Sequence, residues 1–273
     1  KKDENTFNNL GNTFRKLGKY NDAIENYSKS IKMNSELIHA RIELTHLMQN
    51  ICDWKTIKSH FFEIKDHIKN KKNGKISPFT VLSMPNIDIK DQLNVANMWA
   101  QQKKIKAFSP KSKLTKQKIT IGYLSADFRN HPLYYLIYDI LKNHDKNHFE
   151  TKLFYSGPIE KSEQFDLFNK LECKFINISN HNDQESAQII RNEDIDILID
   201  LSGFTRNSRS MVAAYKPARI HINWLGFAGT MGFYFDQSLC EFIIADEYII
   251  PKKLEDYYAE KVIKLPHCYQ PNI

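Results

Sequence analysis

The chain has 273 residues, enough for a sizeable core and more than one domain, and its 41% hydrophobic and 12% aromatic content excludes a disordered polypeptide. Its formal net charge of +7 comes from 39 Lys and Arg against 32 Asp and Glu, but 32 of the 39 are Lys scattered along the chain. Scattered Lys reads as a solvated surface, and with no Arg-rich arm and no RNP, zinc-finger or basic-zipper pattern, nucleic-acid binding is a minor alternative.

Cys52, Cys173, Cys240 and Cys268 stand far apart with no CxxC, which fits a reducing compartment better than a disulfide framework or a metal site. No apolar run approaches the roughly 20 residues of a bilayer span, and Lys1-Lys2-Asp3-Glu4 begins no signal peptide, so the expected setting is the cytoplasm.

Residues 4–71 repeat with a period of 34. Leu10 returns as Leu44, Phe14 as Met48, Tyr20 as Trp54, Ala23 as Ile57, Tyr27 as Phe61 and Ser30 as Ile64. In the first copy Leu10-Gly11, Phe14, Tyr20, Ala23 and Tyr27 occupy the large and small positions of a tetratricopeptide repeat, two antiparallel helices with a small residue where they cross. The second copy has Thr45 at the glycine position and Ile57 at the small one, the drift expected of a terminal repeat. The first domain is therefore placed at 1–71. A helical linker is expected over 72–117, after the basic break KNKKNG (Lys69–Gly74). Within it SPFT (Ser77–Thr80) and Met84-Pro85 read as ordered loop, and Asp88–Lys104 has the apolar spacing of a packed helix. Lys103–Lys118, with seven Lys and one Pro, reads as a connector by composition.

From residue 118 the pattern changes to short β-branched runs alternating with helical segments. Strands are predicted at Ile119–Leu124, Phe149–Ser156, Cys173–Ile178, Asp196–Leu201, Ile220–Leu225 and Phe242–Ala245, with helices at Leu133–Lys142, Phe165–Lys170 and Asp183–Asn192. Such alternation implies a Rossmann-like, doubly wound parallel sheet over 118–273, so the fold class is α + α/β: helical repeats followed by that sheet.

Three strands run into polar or glycine-bearing loops, which a parallel sheet gathers on one edge. After the first, Ser125-Ala126-Asp127 is a polar turn and Asn130-His131-Pro132 a helix start, with Pro132 at the first helical position. This places Asp127 and His131 at the carboxyl edge of the sheet, where open α/β folds bind ligands, although a cap and a surface histidine would look the same. The other two loops are Ser202–Thr205 and Gly226–Gly232, the latter with three glycines that would let a backbone approach a ligand because a Cβ there would collide with it. Asp194-Ile195-Asp196 spells a DxD motif but precedes its strand and reads as a strand entrance. His144 and His148 lack further ligands, and GxGxxG, P-loop and GxSxG motifs are absent.

Taken in order, KITIGYLSADFRNHP (Lys118–Pro132), EDIDILIDLSGFT (Glu193–Thr205), KPARIHINWLGFAGTMG (Lys216–Gly232), IIADEYIIP (Ile243–Pro251) and KVIKLPHCYQPN (Lys261–Asn272), following tetratricopeptide repeats, resemble the protein O-GlcNAc transferase family. SPFTVLSMP (Ser77–Pro85) extends the resemblance to essentially the whole chain. The resemblance implies a GT-B fold of two Rossmann-like lobes and inverting transfer of N-acetylglucosamine from UDP-GlcNAc to Ser or Thr hydroxyls of proteins held by the repeats. It implies no metal and no cofactor beyond the donor sugar nucleotide. By position, His131 matches the active-site histidine of the NHP motif and Asp127 the aspartate four residues before it. Asn130, Leu225, Gly226, Gly229 and Thr230 fall in the segments that lie against donor and substrate, with backbone N–H groups of Gly226 to Thr230 expected to help hold the donor.

The chain departs from the family at Ala228, where Pro is frequent, at Phe204, where His or Tyr stands, and at Leu133, where animal enzymes have Thr. The family's second active-site histidine falls at Pro78-Phe79 and does not transfer. Residues 118–273 correspond to the first lobe, so the expectation is a lobe without its donor-binding partner, inactive by itself. A SPINDLY-type O-fucosyltransferase and a non-catalytic repeat module that binds proteins are the alternatives.

Overall fold

The computed structural model describes residues 3–70, 76–102, 104–110 and 117–271. The basic stretches 71–75 and 111–116, on which the expected breaks largely fall, lie outside the described residues. The chain divides into two compact units, Lys1–Trp99 and Ala100–Ile273.

The first unit is helical: α1 (Glu4–Lys16), α2 (Tyr20–Met33), α3 (Ile38–Asn50), α4 (Ile57–Lys69), a single turn α5 (Pro78–Val81) and α6 (Ile89–Ala100), whose last residue crosses into the second unit. Asp3 caps α1 by accepting the Thr6 N–H at 2.8 Å. The 34-residue period has a steric cause at Gly11, the buried residue of α1: a Cβ there would stand 2.6 Å from the Tyr27 ring, so α1 and α2 can close only over a hydrogen atom. In the second copy Thr45 fills the equivalent place, fully buried, with its hydroxyl donated to the Arg41 carbonyl. The expected linker is corrected here. Ile76, Val81, Met84, Ile87 and Val95 belong to the same apolar cluster as Tyr27, Leu44 and Ile64, because their side chains extend the core that two repeats alone leave open.

The second unit is built on β1 (Ile119–Ser125), α7 (Pro132–Lys142), β2 (Phe149–Tyr155), α8 (Glu163–Asn169), β3 (Lys174–Asn177), α9 (Asp183–Asn192), β4 (Ile197–Asp200) and β5 (Ile220–Asn223). A small antiparallel pair follows, β6 (Phe233–Tyr234) and β7 (Gln237–Ser238), and then β8 (Phe242–Ala245) and β9 (Lys261–Lys264). The main sheet has the order β3-β2-β1-β4-β5-β8-β9 and all its pairings are parallel. Sequential strands run outward on either side of β1 and β4, so the order reverses between those two, the place where such sheets open a crevice at their carboxyl ends. Tyr123, Leu153, Ile137 and Phe168 are buried on the α7–α8 face, and Leu198, Ile190 and Val212 on the opposite face.

Part of the Lys-rich connector is also structured. Phe108 donates its N–H to the Tyr215 carbonyl at 2.8 Å, and Arg191 lies 5.6 Å from its ring centre, so one aromatic anchors the segment to the second unit. Among the described residues, no helix is long and apolar enough to cross a membrane.

Candidate active site

The carboxyl ends of β1, β4 and β5 carry Asp127–His131, Ser202–Thr205 and Gly226–Gly232 side by side, as the sequence pattern implies. Asp196, at the opposite edge, accepts the Thr120 N–H at 2.8 Å and pairs with Arg219, so the DxD motif is a structural strand entrance.

At the head of α7, His131 is the N-cap residue, with extended backbone (φ −153°, ψ 153°), and Pro132 follows at the first helical position. The Leu133 N–H donates to His131 Nδ1 at 3.2 Å. A backbone N–H can only donate, so Nδ1 carries the lone pair and the proton of the neutral ring sits on Nε2. Nε2 lies 3.9 Å from Asp127 Oδ1, beyond hydrogen-bond range. The histidine, its side chain 39% exposed, thus presents an N–H donor at the sheet edge, in a shallow concavity lined by Asn130, His131, Pro132, Tyr135, Leu136 and Gln270.

Asp127 is buried, and its position is over-determined. Its N–H donates to Ser125 Oγ at 2.9 Å, and the hydroxyls of Ser125 and Ser202 stand 3.2 Å apart. Its Oδ1 accepts Arg129 Nε at 3.2 Å and Nη2 at 3.0 Å. The Arg129 fork therefore occupies the carboxylate oxygen that faces His131. Asn130 is exposed, and its N–H is held by Glu160 Oε1 at 3.1 Å.

Below the second loop, Asp200 accepts the Ser202 and Gly203 N–H groups on Oδ1 at 2.8 and 2.9 Å. Among the described residues its Oδ2 has no hydrogen-bond partner, nor has Oδ1 of Asn223, the residue opposite it in the β4–β5 register. Complete burial pushes the Asp200 carboxyl up to about 6, against the pull of those two N–H groups.

The third loop requires a correction. A Cβ on Gly226 would meet the Leu201 carbonyl oxygen at 2.3 Å, and the Gly226 N–H donates to that same oxygen at 3.1 Å. The glycine is demanded by the neighbouring strand end, and its N–H is not available to a donor substrate. Leu225 is buried with φ +69°. The Gly229 carbonyl accepts Asn223 Nδ2 at 3.3 Å. The buried Thr230 donates its hydroxyl to Glu260 Oε2 at 2.8 Å, and the Met231 N–H reaches Glu260 Oε1 at 2.6 Å. Burial pushes Glu260 up to about 7 despite these donors. Thr230 therefore braces the loop with its side chain.

The sequence reading missed Arg129, Glu160, Gln270 and Glu260. Arg129 and Gln270 lie inside the quoted motifs, whereas Glu160 and Glu260 sit at the ends of unremarkable segments and become visible only through their partners. Among the described residues, no three His, Cys, Asp or Glu side chains converge as a metal-ligand set.

A family model described as glycosyl transferase family 41 matches residues 52–270, and a tetratricopeptide repeat model matches residues 5–37. The chain is 28% identical over 244 residues to a probable UDP-N-acetylglucosamine-peptide N-acetylglucosaminyltransferase SEC of Arabidopsis thaliana, covering 83% of this chain and 24% of that protein. It is 30% identical over 163 residues to a UDP-N-acetylglucosamine-peptide N-acetylglucosaminyltransferase of Caenorhabditis elegans, covering 56% of this chain and 13% of that protein. A SPINDLY-named relative from Oryza sativa subsp. japonica is 26% identical over 167 residues, covering 59% of this chain and 18% of its own length. The chain thus spans about a quarter or less of these curated relatives. A solved O-GlcNAc transferase variant from Thermobaculum terrenum shares the fold, with a TM-score of 0.74 at 18% identity over 98% of this chain and 52% of that one.

Proposed function

The chain belongs to glycosyl transferase family 41, and from that premise we propose that it forms the first lobe of an inverting transferase moving N-acetylglucosamine from UDP-GlcNAc to Ser or Thr hydroxyls of proteins. The observation that carries this reading is the His131 arrangement: an imidazole capped at Nδ1 presents its Nε2–H beside a fixed carboxylate at the point where the strand order reverses. In the reaction the acceptor oxygen bonds to the anomeric carbon from the face opposite the diphosphate. The bond from that carbon to the diphosphate oxygen breaks, UDP leaves with the electron pair, and the hydroxyl proton passes to a base. His131 donates its Nε2–H to a substrate oxygen and fixes its orientation, the positioning contribution that enzymes draw from such groups. Asp127 is assigned the role of a nearby fixed negative charge. The backbone N–H groups of Gly229 and Thr230 are assigned to the donor, and the repeats to the protein acceptor.

Nothing in this scheme requires a metal, and transfer is expected to persist in EDTA. The deciding assay joins this chain to the carboxyl-terminal lobe of a family relative and offers a protein acceptor with UDP-GlcNAc or GDP-fucose. Labelling from UDP-GlcNAc alone supports the proposal. Labelling from GDP-fucose moves the chain to the SPINDLY-type alternative, and labelling from neither leaves a binding module.

A further inference from the structure

We propose that Arg129 is a positioning residue of this site: clamped between Asp127 and Glu160, it keeps the Asp127 carboxylate off the His131 ring and so leaves the His131 Nε2–H free for substrate. The proposal rests on His131 being the group that meets substrate. It begins with one oxygen. Asp127 Oδ1 takes both Arg129 Nε and Arg129 Nη2, and the same Oδ1 is the carboxylate atom 3.9 Å from His131 Nε2. Two donors compete for one acceptor, and the guanidinium holds it.

The rest of the clamp sets where the guanidinium stands. Arg129 Nη1 donates to Glu160 Oε2 at 3.2 Å, while Glu160 Oε1 accepts the Asn130 N–H at 3.1 Å. Arg129 Nε also reaches the Ala126 carbonyl at 3.3 Å. The clamp therefore closes on the backbone on both sides of Arg129, and with the Asp127 N–H on Ser125 Oγ and the His131 cap on α7, the loop has little freedom to turn. The three charged side chains are 12–29% exposed, so solvent screens them less than a surface pair. The planar fork matters: it sets two N–H groups on one Asp127 oxygen while a third reaches Glu160, a fixed geometry that the single ammonium of Lys does not reproduce.

Without the guanidinium, the His131 Nε2–H is, among the described residues, the side-chain donor left beside Asp127 Oδ1, and a small rotation closes the 3.9 Å gap. His131 would then be hydrogen-bonded to protein at both ring nitrogens.

The test uses the 273-residue chain labelled with 15N-histidine, with the His131 ring assigned by loss of its signals in His131→Gln. In the unaltered chain the long-range 1H–15N spectrum should show a lone pair at Nδ1 and a proton at Nε2 whose hydrogen exchanges rapidly with water. In Arg129→Ala the Nε2 resonance should shift and its hydrogen should become slow enough to observe. Added guanidinium ion should reverse this in Arg129→Ala, and Arg129→Lys should resemble Arg129→Ala. Should Arg129→Ala fail to fold, Glu160→Gln, which releases one arm of the clamp, should move the same resonance in the same direction. An unchanged His131 ring in whichever variant folds overturns the proposal, and this readout involves no donor sugar. In the two-lobed enzyme Arg129→Ala should lower kcat about 10- to 100-fold with the donor KM within about threefold; a loss confined to KM also overturns it. Absence of transfer by the unaltered two-lobed enzyme counts against the transferase reading and leaves the spectroscopic result standing.

Discussion

Replacing His131 with alanine removes two things together, the acceptor that caps α7 and the Nε2–H at the sheet edge. Cap loss costs about 0.5–2 kcal/mol, so a fall in stability is expected alongside the loss of activity. His131→Asn separates the two, because the shorter amide oxygen still caps Leu133 but leaves no ring. We expect its Tm within a few degrees of the unaltered chain and transfer by the two-lobed enzyme lowered roughly 10²- to 10⁴-fold. Near-normal turnover by folded His131→Asn would remove His131 from the mechanism.

Asp200 supports a different prediction at this scale. Its carboxyl holds a proton up to about 6 when folded, against 3.8 for the free side chain. Between those values the folded chain binds more protons than the unfolded one, so this contribution to stability is lost as pH rises through the window, up to about 3 kcal/mol. Asp200→Asn keeps the acceptor for Ser202 and Gly203 and supplies an N–H in place of the unpartnered Oδ2 opposite Asn223. Urea unfolding from about pH 4 to pH 7 should show a smaller fall in stability for the variant than for the unaltered chain. Parallel curves would mean that Asp200 is ionised throughout.

Elements meet in this protein through glycines whose missing Cβ is filled by a neighbour. At Gly226 the neighbour is a carbonyl oxygen of the adjacent strand end, which cannot rotate away. At Gly11 it is the Tyr27 ring, tied through its hydroxyl to Asn12 Oδ1 at 2.9 Å. Gly226→Ala and Gly11→Ala should each destabilise their own unit by about 1–3 kcal/mol, the usual cost of overpacking. Thermal unfolding of each variant checks this. A Gly226→Ala protein with unchanged Tm and a raised donor KM would restore the idea that this glycine makes room for substrate.

For the molecule as a whole, the proposed function makes the seven-stranded sheet one wall of the cleft of a two-lobed transferase. Positioning the donor and excluding water draw on both walls and account for several kcal/mol of the barrier. The 273-residue chain alone is therefore expected to show no measurable transfer and UDP binding weaker than micromolar. Calorimetric titration with UDP, beside a radiolabelled transfer assay on the same preparation, measures both. Tight binding with turnover would place the donor site within this lobe.

The succession of β1 to β5 and β8 with α7 to α9, the repeat period and the meeting of three loops on one edge were legible in the sequence, because each follows from local periodicity and from the rule that parallel strands share a direction, whereas α5, β6, β7 and β9 were not. Asp183–Asn192 and Phe242–Ala245 coincide with the observed elements to the residue. Asp127 and His131 were legible for the same reason, as a strand end and a helix start. The purposes of Gly226, Thr230 and Arg129 were not. A glycine that avoids a ligand and one that avoids the Leu201 carbonyl are spelled alike, and Thr230 faces Glu260 only because β5 and β9 lie on the same side of the sheet with β8 between them. Arg129 binds Asp127 two residues away, but the Glu160 that orients it arrives from beyond β2. Periodicity records which face of an element is buried; which side chain occupies the space beside a given atom depends on how distant segments are brought together, and tertiary packing alone decides that.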